Sequence, residues 1–182
     1  MWAIDGTWER VFTALVAKAD ADDDLNWAVS VDSTVVRAHQ HAAGARKKKG
    51  APTGEPPDHT IGRSRGGLST KIHLASDAQC RPLAFVLTAG DAPAFAHVMA
   101  RLRVPRRRGR PRTRPDVVLA DKAYSSRAIR EHLRKRGIRA VIPVPADQRG
   151  HRLRRGSRGG RPPAFDREHT SSAIPSNAAS TA

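Results

Sequence analysis

Residues 27–36, WAVSVDSTVV, are rich in β-branched side chains and read as one β-strand with Asp32 set in its middle. Aspartate is disfavoured there, and a charge held inside a sheet is costly. A second short apolar run, Val117-Val118-Leu119-Ala120, leads directly into Asp121. Two strands that each deliver an aspartate are the frame around which the remaining segments can be placed.

Upstream, residues 7–19 (TWERVFTALVAKA) carry Trp8, Val11, Phe12, Leu15 and Val16 at helical spacing. Thr7 is positioned to cap that helix, and Asp20 to Asp24 form an acidic turn. Downstream, from about His39 to Ser69, Lys47-Lys48-Lys49, proline and glycine clusters and a lack of apolar periodicity predict a long basic loop. Residues 70–76 (TKIHLAS) and 82–88 (PLAFVLT) then read as a hairpin turning at Asp77-Ala78-Gln79. Pro93 opens a helix with Phe95, Val98, Met99 and Leu102 on one face, and Pro105 stops it.

Residues 106–114 (RRRGRPRTR) are a basic, proline-broken linker before the strand that ends at Asp121. Ser125 is expected to cap the next helix, which turns Ala128, Ile129 and Leu133 inward and ends at Gly137. Residues 138–144 (IRAVIPV) are a further strand, and residues 149–163 a second basic loop. The order helix, strand, hairpin, helix, strand, helix, strand predicts an α/β fold: a mixed sheet, antiparallel meander first, with helices packed on it.

The chain has 182 residues, enough for one ordinary domain. Its 33 Lys and Arg against 17 Asp and Glu give a net charge of +16, which favours a polyanionic partner, most simply nucleic acid. Cys80 is the single cysteine, so neither a disulfide framework nor a cysteine-based zinc site is available. His39 and His41 stand two apart without a third ligand nearby and read as polar loop residues. No apolar stretch approaches the roughly 20 residues of a membrane helix. No export signal opens the sequence, so a cytoplasmic location is expected.

In open α/β sheets, side chains from separate strands converge at the strand ends. Carboxylates meeting there can hold a pair of divalent ions about 3.5–4 Å apart, the arrangement used for phosphodiester chemistry. Position alone also suits Asp32 as a strand-edge residue and Asp121 as the cap of the following helix.

The words around the two aspartates narrow the choice. The stretches VDSTVVRAHQHAAGARKKKG (31–50), GRSRGGLSTKIHLASDAQCRPLAFVLTAGDAP (62–93) and VVLADKAYSSRAIREHLRKRGIRAVIP (117–143) resemble bacterial insertion-sequence transposases of the IS-five type. These are DDE-class enzymes of the IS-four-like superfamily with a ribonuclease-H-like fold. The resemblance covers about residues 2–169. It implies that Asp32 in VDST and Asp121 in LADKAY are the first two catalytic, metal-holding aspartates, working with Mg2+ or Mn2+ in a two-metal site. It implies DNA as the partner, both transposon ends and target, with a homo-oligomer in an intact member. Arg63, Arg65, Lys71 and Lys122 are then candidate phosphate contacts. The corresponding domain boundaries are a helical approach over 1–26, a catalytic domain over 27–169 with its basic loop 39–69, and a tail over 170–182.

The tail departs from the family pattern. The family's third carboxylate is a glutamate on a helix after the last strand. Here the chain runs from FDREH (165–169) into TSSAIPSNAASTA, with no acidic residue after Glu168. Codons compatible with this tail, read from the last base of the His169 codon, spell YIKRNTVERCINR, which is the missing word. A one-base deletion after the Glu168 codon would explain the switch, so the expectation is a frameshifted gene or one half of a programmed-frameshift pair, and with it a site lacking its third acid. The competing expectation is a non-enzymatic DNA-binding remnant, or an inhibitor of an intact relative. The missing final helix also predicts an exposed apolar patch on the sheet.

Overall fold

A computed structural model describes residues 5–39, 61–64, 67–89 and 94–163. Helix α1 (Thr7–Ala21) precedes β1 (Ala28–Arg37), β2 (Gly62–Ser64), β3 (Gly67–Ser76), β4 (Pro82–Ala89) and α2 (Phe95–Arg101). Strand β5 (Val117–Ala120), α3 (Arg127–Lys135), β6 (Arg139–Val141) and α4 (Ala146–Arg154) come next. The strands join in the order β2-β3-β1-β5-β6, with β4 also paired to β3. An antiparallel hairpin thus sits beside β1, and β5 and β6 run parallel on its other side. This is the expected mixed sheet, with antiparallel strands first and parallel strands after them.

The chain divides into two compact units. One holds residues 1–25, 33–74 and 83–113; the other holds 26–32, 75–82 and 114–182. In the second, β5 explains itself. A parallel strand covered on both faces needs a continuous apolar run rather than an alternating one, and Val117, Val118 and Leu119 are all buried. Val117 and Leu119 pack with Val141 of β6 and Ala28 of β1. Leu133 of α3 is fully covered, as are Ile142 and Val118. The helix ends where the glycine predicts: Gly137 takes φ +65°, a left-handed conformation that a Cβ would strain.

Several local expectations are corrected. Thr7 does not cap α1: the cap position is Gly6, and the Asp5 carboxylate accepts from the Thr7 N–H at 2.9 Å instead. Of the predicted apolar stripe on α1 only Val16 is buried, while Trp8, Val11 and Leu15 are exposed. Ser126, not Ser125, caps α3, accepting from the Ile129 N–H at 3.2 Å. Pro93 lies outside the described residues, and α2 begins at Phe95. The linker 106–114 is folded back, with Val104 and Arg112 exchanging hydrogen bonds of 2.9 and 2.8 Å.

Neither basic loop is wholly irregular. Gly62–Ser64 pairs antiparallel with Gly67–Ser69, so the region read as a loop to Ser69 already contains sheet. Residues 146–154, mostly read as loop, are helix α4, followed by a 3-10 turn over Gly156–Gly159. Pro145 at its start, Asp147 in its first turn and several arginines are good helix-forming choices, although no residue of α4 is buried. In the first unit, Leu74 on β3 and Phe85 and Leu87 on β4 are exposed.

The hairpin places one titratable group in an apolar setting. His73 on β3 is 3% exposed, and its Nε2 lies 3.0 Å from the Thr88 hydroxyl of β4. Burial, with a smaller push from the Lys71 charge, lowers its pKa from the ordinary 6.5. The folded state therefore resists protonation more than the unfolded chain does. His73 costs nothing above about pH 6.5, and destabilisation grows as pH falls from there towards the folded pKa. His73→Gln should melt with a shallower loss between about pH 7 and pH 5 than the wild type. Parallel Tm–pH curves for the two proteins would refute this.

Candidate active site

Strands β1 and β5 run parallel with Val29 opposite Val118, Ser30 opposite Leu119 and Val31 opposite Ala120. Asp32 and Asp121 are each the next residue. The register therefore sets them side by side on neighbouring strands, which are about 4.8 Å apart in any sheet. Alternation along the strands turns both towards the face filled by Val117 and Leu119. Both aspartates are exposed, so their charge is presented to solvent at the carboxyl edge of the sheet.

Local structure fixes Asp121 further. Its backbone is still extended, at φ −72° and ψ 174°, and it caps the 3-10 turn Lys122–Tyr124. Its Oδ1 accepts from the Ala123 N–H at 2.9 Å. The alternative reading of Asp121 as a capping residue is thus correct in geometry, and it is compatible with a second role. A carboxylate has about four lone-pair positions, and the cap occupies one. Lys122, a predicted phosphate contact, is exposed at the start of that turn and follows Asp121 directly.

The other three predicted contacts are described only in part. Arg63 belongs to β2, and its side chain lies outside the described residues, as does Arg65 altogether. Lys71 is half-buried on β3, on the same strand face as His73. His41 is outside the described residues, whereas His39 is described and exposed. Cys80 is exposed in the turn with φ +63°. Among the described residues no group of three His, Cys, Asp or Glu side chains is placed to hold a metal ion. Among them, too, no helix is long and apolar enough to cross a membrane.

Two arrangements in this unit are not legible in the sequence. Behind the 3-10 turn, the Arg130 Nη2 donates both to the buried Ser125 Oγ and to the Ile142 carbonyl, each at 2.8 Å. Burial lowers the pKa of that guanidinium. This ties α3 to the segment after β6 and explains why Ser125 is unavailable as a cap. In the β3–β4 turn, Asp77 is 1% exposed. It accepts from the Gln79 and Arg81 N–H groups at 3.0 and 2.9 Å, and its other oxygen pairs with the Arg81 guanidinium at 2.8 and 2.7 Å. The four-residue spacing in a turn is the available signal.

Known proteins resemble this chain in two ways. By sequence, 65 residues are 42% identical to the uncharacterized protein y4sN of Sinorhizobium fredii, covering 36% of this chain and 46% of that protein. A further match, 37% identical over 95 residues, is to a protein of Burkholderia cepacia described as a transposase for insertion sequence element IS402. It covers 50% of this chain and 44% of that protein, so the chain spans less than half the length of these curated relatives. By structure, the Mos1 strand transfer complex aligns over 77% of this chain and 41% of its own, with a TM-score of 0.37 and 17% identity. The Mos1 mariner paired end complex with Mn aligns over 89% and 51%, with a TM-score of 0.36 and 15% identity. The family model described as "Transposase DDE domain" matches residues 24–179, extending into the tail. That match takes in both aspartates and most of the chain, and the protein belongs to the DDE transposase family.

Proposed function

We propose that this chain is the catalytic domain of an insertion-sequence transposase of the IS-five type, acting on the phosphodiesters of transposon-end and target DNA. The observation that supports this most directly is the parallel register that sets Asp32 beside Asp121. A pair of exposed carboxylates offers only oxygen donors, a set that fits a hard divalent cation such as Mg2+ or Mn2+, which retains much of its water. Bound there, such ions supply Lewis acidity at the attacking and leaving oxygens of an in-line displacement.

The residues' own contributions are positional and electrostatic. Asp32 and Asp121 would hold the cations, and Asp121 is kept in one rotamer by its bond to the Ala123 N–H. Lys122 would steady a non-bridging phosphate oxygen from the same turn, and Arg63, Arg65 and Lys71 would hold backbone phosphates. In cleavage a bond forms from a water oxygen to phosphorus and the phosphorus–O3′ bond breaks. In strand transfer the attacking oxygen is the freed DNA 3′-hydroxyl. We further propose a cytoplasmic protein that assembles as a homo-oligomer on paired ends. The domain runs from about residue 27 to 169, behind the helical segment 1–26.

A second reading is supported by the sequence, in which no acidic residue follows Glu168. If the tail 170–182 arises from a one-base deletion, this polypeptide is a DNA-binding remnant or an inhibitor of an intact relative. The test is Mg2+-dependent nicking of element-end DNA by this chain and by a version ending in YIKRNTVERCINR. Nicking by the chain itself supports the enzyme, and nicking only after repair supports the remnant. Cleavage by neither version would defeat the transposase reading. The nucleotide sequence after codon 168 decides the deletion directly.

A further inference from the structure

Within the second unit, a cleft of about 850 Å³ lies along α3 and β6. It contains neither Asp32 nor Asp121, and its walls carry five arginines: Arg127, Arg130, Arg134, Arg139 and Arg161. Arg127, Arg130 and Arg134 fall at i, i+3 and i+7 on α3, so they share one face of the helix. The single acid in the lining, Glu131, is paired with Lys135 at 3.2 Å and does not neutralise the wall. The floor is built rather than incidental. Arg130 is half-buried, and its Nη2 is committed to the neutral oxygens of Ser125 and Ile142.

Positive charge gathered around a half-buried guanidinium is stabilised by an anion, and the shape selects which one. The cleft is open, and its arginines extend from Arg127 to Arg134 along α3 rather than converging on a single phosphate. No aromatic side chain lines it, so nothing is present on which unpaired bases would stack. Arginine forks along a helix suit successive backbone phosphates of a duplex, which are recognised without regard to sequence. The path is also suitable. The helix α3 starts just after the turn that follows Asp121 and returns to the opposite edge of the sheet before β6. One end of the cleft, at Ser125 and Arg127, therefore lies near the carboxylate edge.

We propose that this arginine cleft is a track for the backbone of duplex DNA running away from the Asp32–Asp121 pair. The proposal rests on the reading of DNA as the substrate and adds the surface that holds it. Arg127, Arg134 and Arg161 are exposed, so replacing them leaves the core untouched, whereas Arg130 serves the fold and is not a fair probe.

The test measures binding of a random 30-base-pair duplex to the full chain by fluorescence anisotropy over a series of salt concentrations. The triple variant Arg127→Gln, Arg134→Gln, Arg161→Gln should reduce the steepness of log K against log salt by about 2.7, three contacts at about 0.9 each. The control Arg107→Gln, Arg108→Gln, Arg110→Gln removes the same charge from an exposed turn and should change the steepness by less than about 1. Equal effects of the two triples would overturn the track and leave only bulk charge. A single strand bound as tightly as the duplex, with the same loss in the cleft triple, would also overturn it. Failure of the transposase reading is separate: it would show as nicking indifferent to Asp32 and Asp121, whatever the cleft variants do.

Discussion

Asp77→Ala is expected to destabilise the protein by roughly 3 kcal/mol, at the lower end of the cost of removing one partner from a buried ion pair. For a chain of this size that lowers Tm by about 6–12 °C. The lower end applies because Arg81 retains 31% exposure while the Asp77 side chain has none. Alanine leaves two turn N–H groups and a guanidinium without their acceptor. Asparagine keeps an oxygen for the N–H groups and loses only the charge, so Asp77→Asn should fall between alanine and wild type. Thermal melts of the three proteins give the order directly. An alanine variant that melts within about 1 °C of wild type would show that the hairpin does not depend on this turn.

Asp32→Asn and Asp121→Asn are expected to act on chemistry instead of stability. Each should lower divalent-dependent nicking by roughly 10²–10³-fold, the usual effect of removing one group that stabilises transition-state charge. Each should also weaken Mn2+ binding, read by electron paramagnetic resonance in a version competent to cleave. Asparagine at 121 still offers an oxygen to the Ala123 N–H, so the 3-10 turn should persist and Tm should stay close to wild type. Because two carboxylates holding shared cations work as a unit, the double variant should lose little more than either single one. Losses that multiply in the double variant would indicate two independent roles. Unchanged nicking would remove both residues from the site.

The elements most legible in the sequence are those with one dominant cause. β5 matches its apolar run residue for residue, because a doubly covered parallel strand has no polar positions to blur the pattern. The end of α3 at Gly137 is legible for a similar reason, since few residues tolerate its backbone angles. The hairpin and both aspartates likewise fall where strand patterning places them. Composition misleads where it stands in for periodicity. Arginine and glycine at 149–154 suggest a loop, yet that segment is a helix with no buried face to announce itself. Strand β2 is hidden because its evidence is its pairing with β3, which begins three residues further on. The capping errors at Thr7 and Ser125 share a cause: a neighbouring polar group, Asp5 in one case and Arg130 in the other, engages the hydrogen bonds instead. At the site, the interstrand register is invisible in the linear chain, because pairing is a property of two segments at once.

That register bears on how freely the gene can vary. Asp32 and Asp121 are brought together by hydrogen bonds between β1 and β5, and not by the length of chain between them. Insertions in the intervening loops change the closure entropy only logarithmically, so a family on this frame can lengthen or rebuild them while preserving the pair. A single residue inserted between Ala28 and Val31, or between Val117 and Ala120, has the opposite result. The two-residue period of a strand would turn one aspartate to the other face of the sheet and separate the carboxylates without altering either. Length variation should therefore be tolerated in the loops between the two aspartates and excluded from eight strand positions that contain no charged residue.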